Sequence, residues 1–137
     1  MPTSDTITAE LMGSGGAYEV VQASVNNKDV RVFRNAPDNL SLVFDKSREH
    51  GDAEFIVSGE TRLTYRQFFA KADQLTSWLI NEAGVKPRQS VAICMQNCPE
   101  WIIAFVAIIN AGGVAVLVNS RGTPDVMAGA VEDSDSV

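Results

Sequence analysis

Residues 90 to 133 run through one unit twice, and that repeat decides most of what the chain can fold into. Ser90 to Met95 reads as a buried strand, a loop through Asn97 leads to Pro99 in the first turn of a helix, and Gly112-Gly113 ends that helix. Val114 to Val118 is a second strand, apolar at every position. The loop Asn119 to Gly122 leads to Thr123 as a helix cap, Pro124 at the first helical position, and Asp125 where a carboxylate complements the helix dipole. Strands that are apolar on both faces and joined through helices pair in parallel, by right-handed crossovers, with cover on both sides. The expectation is an α/β fold with two or three parallel strands, in which a further strand should follow the helix from Pro124.

The run from Trp101 to Val118 is apolar or small except at Asn110, and is nearly long enough to be a membrane span. Pro99 and Glu100 open it, Gly112-Gly113 interrupts it, and no basic residues flank it. A helix stopping at the glycines and a fully buried strand account for the same residues, so no membrane span is expected. Met1 to Leu11 carries two acids, no base and no apolar stretch, so it is not a signal peptide.

Upstream, Tyr65, Phe68, Phe69, Ala72, Leu75, Leu79, Ile80 and Ala83 form one apolar face of a helix. Thr64 and Gln67 can close a capping box, Leu63 and Phe68 a hydrophobic staple, and Gly84 with Pro87 stops the helix. Phe55-Ile56-Val57 and Thr61-Arg62-Leu63 read as two short strands around Ser58-Gly59-Glu60. Leu40, Val43 and Phe44 recur at helical spacing behind a cap at Asp38 or Asn39, with Gly51 as the stop. Residues 1–39 read as a weakly structured arm: a flexible break at Gly13 to Gly16, a short helix over Ala17 to Ser24, an extended piece from Lys28 to Phe33, and a turn around Pro37. The organisation expected is an arm over 1–39 and a partial α/β domain over 40–137.

Composition narrows the chemistry. The formal charge of −6 offers no footprint for a polyanion, so nucleic acid is not an expected partner. One histidine, His50, leaves no second imidazole and no His-rich metal site; its place beside a helix stop suits a structural role. Cys94 and Cys98 do not share a helical face and read as buried free thiols, which fits a cytoplasmic setting. Gly13-Ser14-Gly15-Gly16 lacks the preceding strand and the following Lys-Ser or Lys-Thr of a phosphate loop, and Asp133 and Asp135 lie in a polar tail. The loops after the two strands, Gln96-Asn97-Cys98 and Asn119 to Gly122, stand where α/β sheets bind ligands. Neither carries a dinucleotide fingerprint.

The order of residues resembles the AMP-forming acyl-CoA synthetases of the adenylate-forming ligase superfamily. The matching pieces are Leu63-Thr64-Tyr65, Gly84-Val85-Lys86-Pro87, Val91-Ala92-Ile93, Asn97-Cys98-Pro99-Glu100, Ala111-Gly112-Gly113-Val114 and Leu117-Val118-Asn119. Pro37, Leu40 and His50-Gly51-Asp52 are similar to the fatty-acid and related acyl-CoA ligases. Where the family usually has Gly-Asp before the Val91 strand, this chain has Arg88-Gln89-Ser90. The resemblance implies the N-terminal portion of an enzyme that activates a carboxylic (fatty) acid with ATP and Mg²⁺ and transfers the acyl group to coenzyme A. It also implies that Asn119 and Arg121 lie near the substrate and coenzyme A side of the cleft. The lysine-bearing phosphate loop, the adenine motif, the ribose-binding aspartate and the C-terminal catalytic lysine of the family lie beyond the matched stretch. Ser58 to Arg62 and Ser120 to Pro124 imitate the phosphate loop without its lysine. No catalytic residue, metal ligand or bound cofactor is therefore expected within these 137 residues, and the stretch alone should be inactive.

Two other readings of the residues stay open: a stand-alone α/β interaction module without catalysis, and a small Rossmann-like nucleotide binder. The chain is also expected to self-associate, as a homodimer. Strands Val91 to Met95 and Val114 to Val118 carry no charge to discourage edge pairing, and the Trp101 to Ile109 helix should leave large side chains facing water.

Overall fold

A computed structural model describes residues 2–137, which divide into a unit ending at Asp38 and a unit starting at Asn39. The first unit is more ordered than its sequence suggests. Helix α1 (Ser4–Met12) starts at Thr3, whose side chain accepts from the Thr6 N–H. Strands β1 (Val20–Val25) and β2 (Lys28–Phe33) form an antiparallel hairpin. The expected helix over Ala17 to Ser24 is therefore corrected to a strand. Asn26 and Asn27 take φ of 51° and 61°, the left-handed pair that a type I′ hairpin turn requires. Gly13 to Gly16 is a hydrogen-bonded turn rather than an open break: Gly13 N–H donates to Ala9 C=O, Gly16 N–H to Gly13 C=O, and Gly15 N–H to the Glu19 carboxylate at 3.1 Å. That backbone donor, helped by the Arg34 guanidinium, holds the Glu19 carboxyl below its ordinary pKa.

In the second unit the elements start where local chemistry caps them. Asn39 accepts from the Leu42 N–H and opens α2 (Leu40–Ser47), which runs into a 3₁₀ turn, Arg48–His50. Strands β3 (Glu54–Ser58) and β4 (Thr61–Thr64) pair antiparallel, with Gly59 at φ 58° in the first central turn position. Thr64 and Gln67 close their capping box, at 3.2 Å and 3.0 Å, at the head of α3 (Tyr65–Asn81). Gly84 at φ 69° lets Val85 N–H reach back to Leu79 C=O and finish that helix. Then come β5 (Ser90–Ile93), α4 (Pro99–Asn110), β6 (Val114–Leu117) and α5 (Pro124–Asp133). Gly112 at φ 77° closes α4: its N–H donates to Ile109 C=O, and the Gly113 N–H to Ile108 C=O.

β5 and β6 are parallel, with Val91 opposite Ala115 and Ile93 opposite Leu117. On the other side of β5 a single residue pairs in the parallel sense: Val137 N–H donates to Ser90 C=O and Ala92 N–H to Val137 C=O. The sheet is two-stranded, and the expected open edge of β5 is met on its outer side at Ser90 and Ala92 by this one residue.

Two buried clusters meet along α4. Phe68, Phe69 and Ala72 of α3 pack with Ile103 and Val106, while Val91, Ile93 and Leu79 pack with Ala104, Ala107 and Ile108. Every side chain of α4 from Trp101 to Asn110 is buried or half-buried, so the expectation that this helix faces water is corrected: α2, α3, β5 and β6 already cover it. Ile80 and Ala83, by contrast, extend the apolar pattern of α3 but lie exposed. Arg48 ties the end of α2 to α3, with a bidentate bond to Asp73 at 2.7 Å and 2.9 Å and its guanidinium 4.2 Å above the Phe69 ring. Arg66 grips Asp52 in the same way and holds its carboxyl below the ordinary range.

The departure at Arg88 has a measurable cost. Its φ is 68°, a conformation that glycine adopts freely and a side chain resists by about 1–2 kcal/mol. Arg88→Gly should therefore raise stability by up to about 1 kcal/mol, once glycine's larger unfolded-state entropy is subtracted. A lowered urea midpoint for that variant would mean the arginine side chain holds the turn.

Candidate functional site

The end of β5 sends the chain one way and the end of β6 sends it the other. Val91 and Ile93 point into the cluster under α4, and strand alternation turns Ala92 and Cys94 to the opposite face. There the Cys94 thiol meets the Met127 sulfur of α5 at 3.3 Å. Adjacent parallel strands whose connections leave on opposite faces open a crevice at their carboxyl ends, the place where open α/β sheets hold ligands. The crevice here is a cleft of about 410 Å³, lined by Met95 to Asn97 from the β5 loop and Val118 to Arg121 from the β6 loop.

Its β6 side is shaped by Asn119. The Asn119 Oδ1 accepts from the Arg121 N–H at 3.0 Å, and its backbone C=O accepts from the Gly122 N–H at 3.1 Å. The side chain of Asn119 thus folds the loop, as Asn does in turns, and is not free for a ligand through that oxygen. At Gly122 a Cβ would stand 3.3 Å from both the Asn119 carbonyl oxygen and Val126, so the loop closes tightly before Thr123 caps α5. Arg121 is exposed and makes no ion pair among the described residues. The two candidate residues therefore do meet at one cleft, with different parts: Asn119 sets the loop, and Arg121 offers a cation.

Around them the polar groups are neutral. Gln96, Asn97 and Ser120 supply neutral donors and acceptors, and the cleft lining includes no carboxylate, imidazole or lysine. Cys94 is exposed and Cys98 half-buried, which corrects the expectation of buried thiols. His50 lies away in the 3₁₀ turn with its ring 4.8 Å from that of Tyr65. Among the described residues no three His, Cys, Asp or Glu side chains gather to hold a metal ion. The part of the cleft that sequence reasoning had not singled out, Met95 and Val118, carries no signal beyond its place at the strand ends.

A parallel β–α–β–α unit with a polar cleft at its strand ends defines a half-sheet of the α/β class. Residues 43–137 match the family described as AMP-binding enzyme, and the chain belongs to that family. Tyrocidine synthase 2 of Brevibacillus parabrevis is 32% identical over 118 residues, covering 85% of this chain and 3% of that protein. A medium/long-chain-fatty-acid–CoA ligase of Mycobacterium tuberculosis is 30% identical over 95 residues, covering 69% of this chain and 16% of that protein. Among solved structures, the N-terminal subdomain of NpsA from Klebsiella oxytoca, in complex with anthranilyl-AMSN, has a TM-score of 0.67 at 23% identity over 72% of this chain and 26% of its own. O-succinylbenzoate coenzyme A synthetase from Bacillus subtilis, in complex with AMP, has a TM-score of 0.64 at 22% identity, covering 68% of this chain and 24% of its own. These two share the fold. The chain thus spans a small part of the length of the relatives it matches, and the resemblance to adenylate-forming ligases holds.

No helix among the described residues is long and apolar enough to cross a membrane.

Proposed function

We propose that this chain is the N-terminal portion of an ATP-dependent acyl-CoA ligase. In that reaction a carboxylate oxygen attacks the α-phosphorus of ATP and pyrophosphate leaves, giving an acyl-adenylate. The coenzyme A thiol then attacks the acyl carbon, and AMP leaves. The observation that carries the reading is the family match over residues 43–137, joined by the fatty-acid–CoA ligase relative at 30% identity. Arg121 is the group in this stretch suited to an anionic part of the substrate or of coenzyme A, and Asn119 positions it. On this reading the residues that bind Mg²⁺ and the nucleotide phosphates belong to the remainder of the enzyme, its substrates are a fatty or related carboxylic acid, ATP and coenzyme A, and its setting is the cytoplasm, as two free cysteines suit.

The test uses the product of the full reading frame, assayed for acid-dependent ATP–pyrophosphate exchange and then for thioester formation with coenzyme A. Arg121→Ala should raise KM for coenzyme A by about tenfold or more, as loss of one charge-assisted bond does, with exchange retained. Unchanged kinetics in both halves would remove Arg121 from the site. Tyrocidine synthase 2, matched over 85% of this chain, favours a second reading in which the adenylate serves a synthase rather than the making of a coenzyme A thioester. Exchange without any coenzyme A thioester would select it.

We also propose that the chain self-associates through the outer side of β6. Val114 and Leu117 are 48% and 55% exposed there, and the strand bears no charge. The average mass by light scattering should rise across a tenfold concentration range, and Leu117→Lys should suppress the rise. A constant monomer mass with no apolar-dye binding overturns it.

A further inference from the structure

We draw no further inference here: the strongest candidate, the apolar groove of about 280 Å³ between the end of β3 (Ile56 to Ser58) and the loop Asn97-Cys98 with the first turn of α4 (Pro99, Trp101 and Ile102), is unpartnered, and nothing in the structure shows what covers it.

Discussion

Phe68→Ala should cost about 3–5 kcal/mol of stability, the usual loss when a fully packed aromatic ring is cut back to a methyl. Phe68 is 1% exposed and stands at the fourth position of α3, where the staple residue Leu63 packs into the same cluster. Its ring meets Phe55 of β3 edge-on at 4.9 Å and Phe69 at 5.1 Å, so one truncation loosens the hairpin, α3 and the Ile103 side of α4 together. A domain holds only about 5–15 kcal/mol in total, which makes this a large share. Ile80→Ala is the control. Ile80 belongs to the same apolar sequence pattern but is 46% exposed, and its truncation should change stability by about 0.5 kcal/mol or less. Urea midpoints for the two variants measure the contrast. Coincident midpoints would mean that the helix presents a different face to the core.

The same contrast explains what the sequence reveals and what it hides. The α3 cap, the β3–β4 turn and the stops at Gly84 and Gly112 are legible because each is settled within five or six residues of chain. Ile80 is misread because periodicity places a residue on a face, while burial depends on whether another element lies opposite. The reverse holds for α4: its uniform apolarity calls for cover on every side, and the expected exposure rested on that cover coming from later segments, whereas α2 and α3 already close over it. β1 is hidden for a chemical reason: Asn26-Asn27 makes the left-handed turn without the glycine that usually marks it. At the candidate site, the two loops are legible from the strand–helix alternation alone. Their joining into one cleft is not, since it depends on the chain returning past β6 to the far side of β5, where Val137 pairs. Nor does the sequence separate the parts of Asn119 and Arg121, because the hydrogen bond that spends the asparagine is a matter of loop geometry.

The isolated 137-residue chain should give no acid-dependent ATP–pyrophosphate exchange above a protein-free blank. Adenylate formation needs cations and N–H donors already aimed at the phosphates, and the loss of one such donor typically costs about 10²–10³ in rate. In this chain the sequences that imitate the family's phosphate loop are otherwise engaged. Ser58 to Arg62 turns the β3–β4 hairpin, where Arg62 bonds Glu54 at 2.7 Å, and Thr123 spends its side chain capping α5. The cleft retains one guanidinium, that of Arg121, beside neutral amides and a hydroxyl. One cation at an open rim can attract an anion, but it cannot hold a triphosphate in line with a carboxylate. Several donors are missing at once, so the expected loss is complete within detection rather than partial. Exchange that persists through two unrelated purification columns, and that falls with Arg121→Ala, would place catalytic groups in this half-sheet and refute its inactivity in isolation.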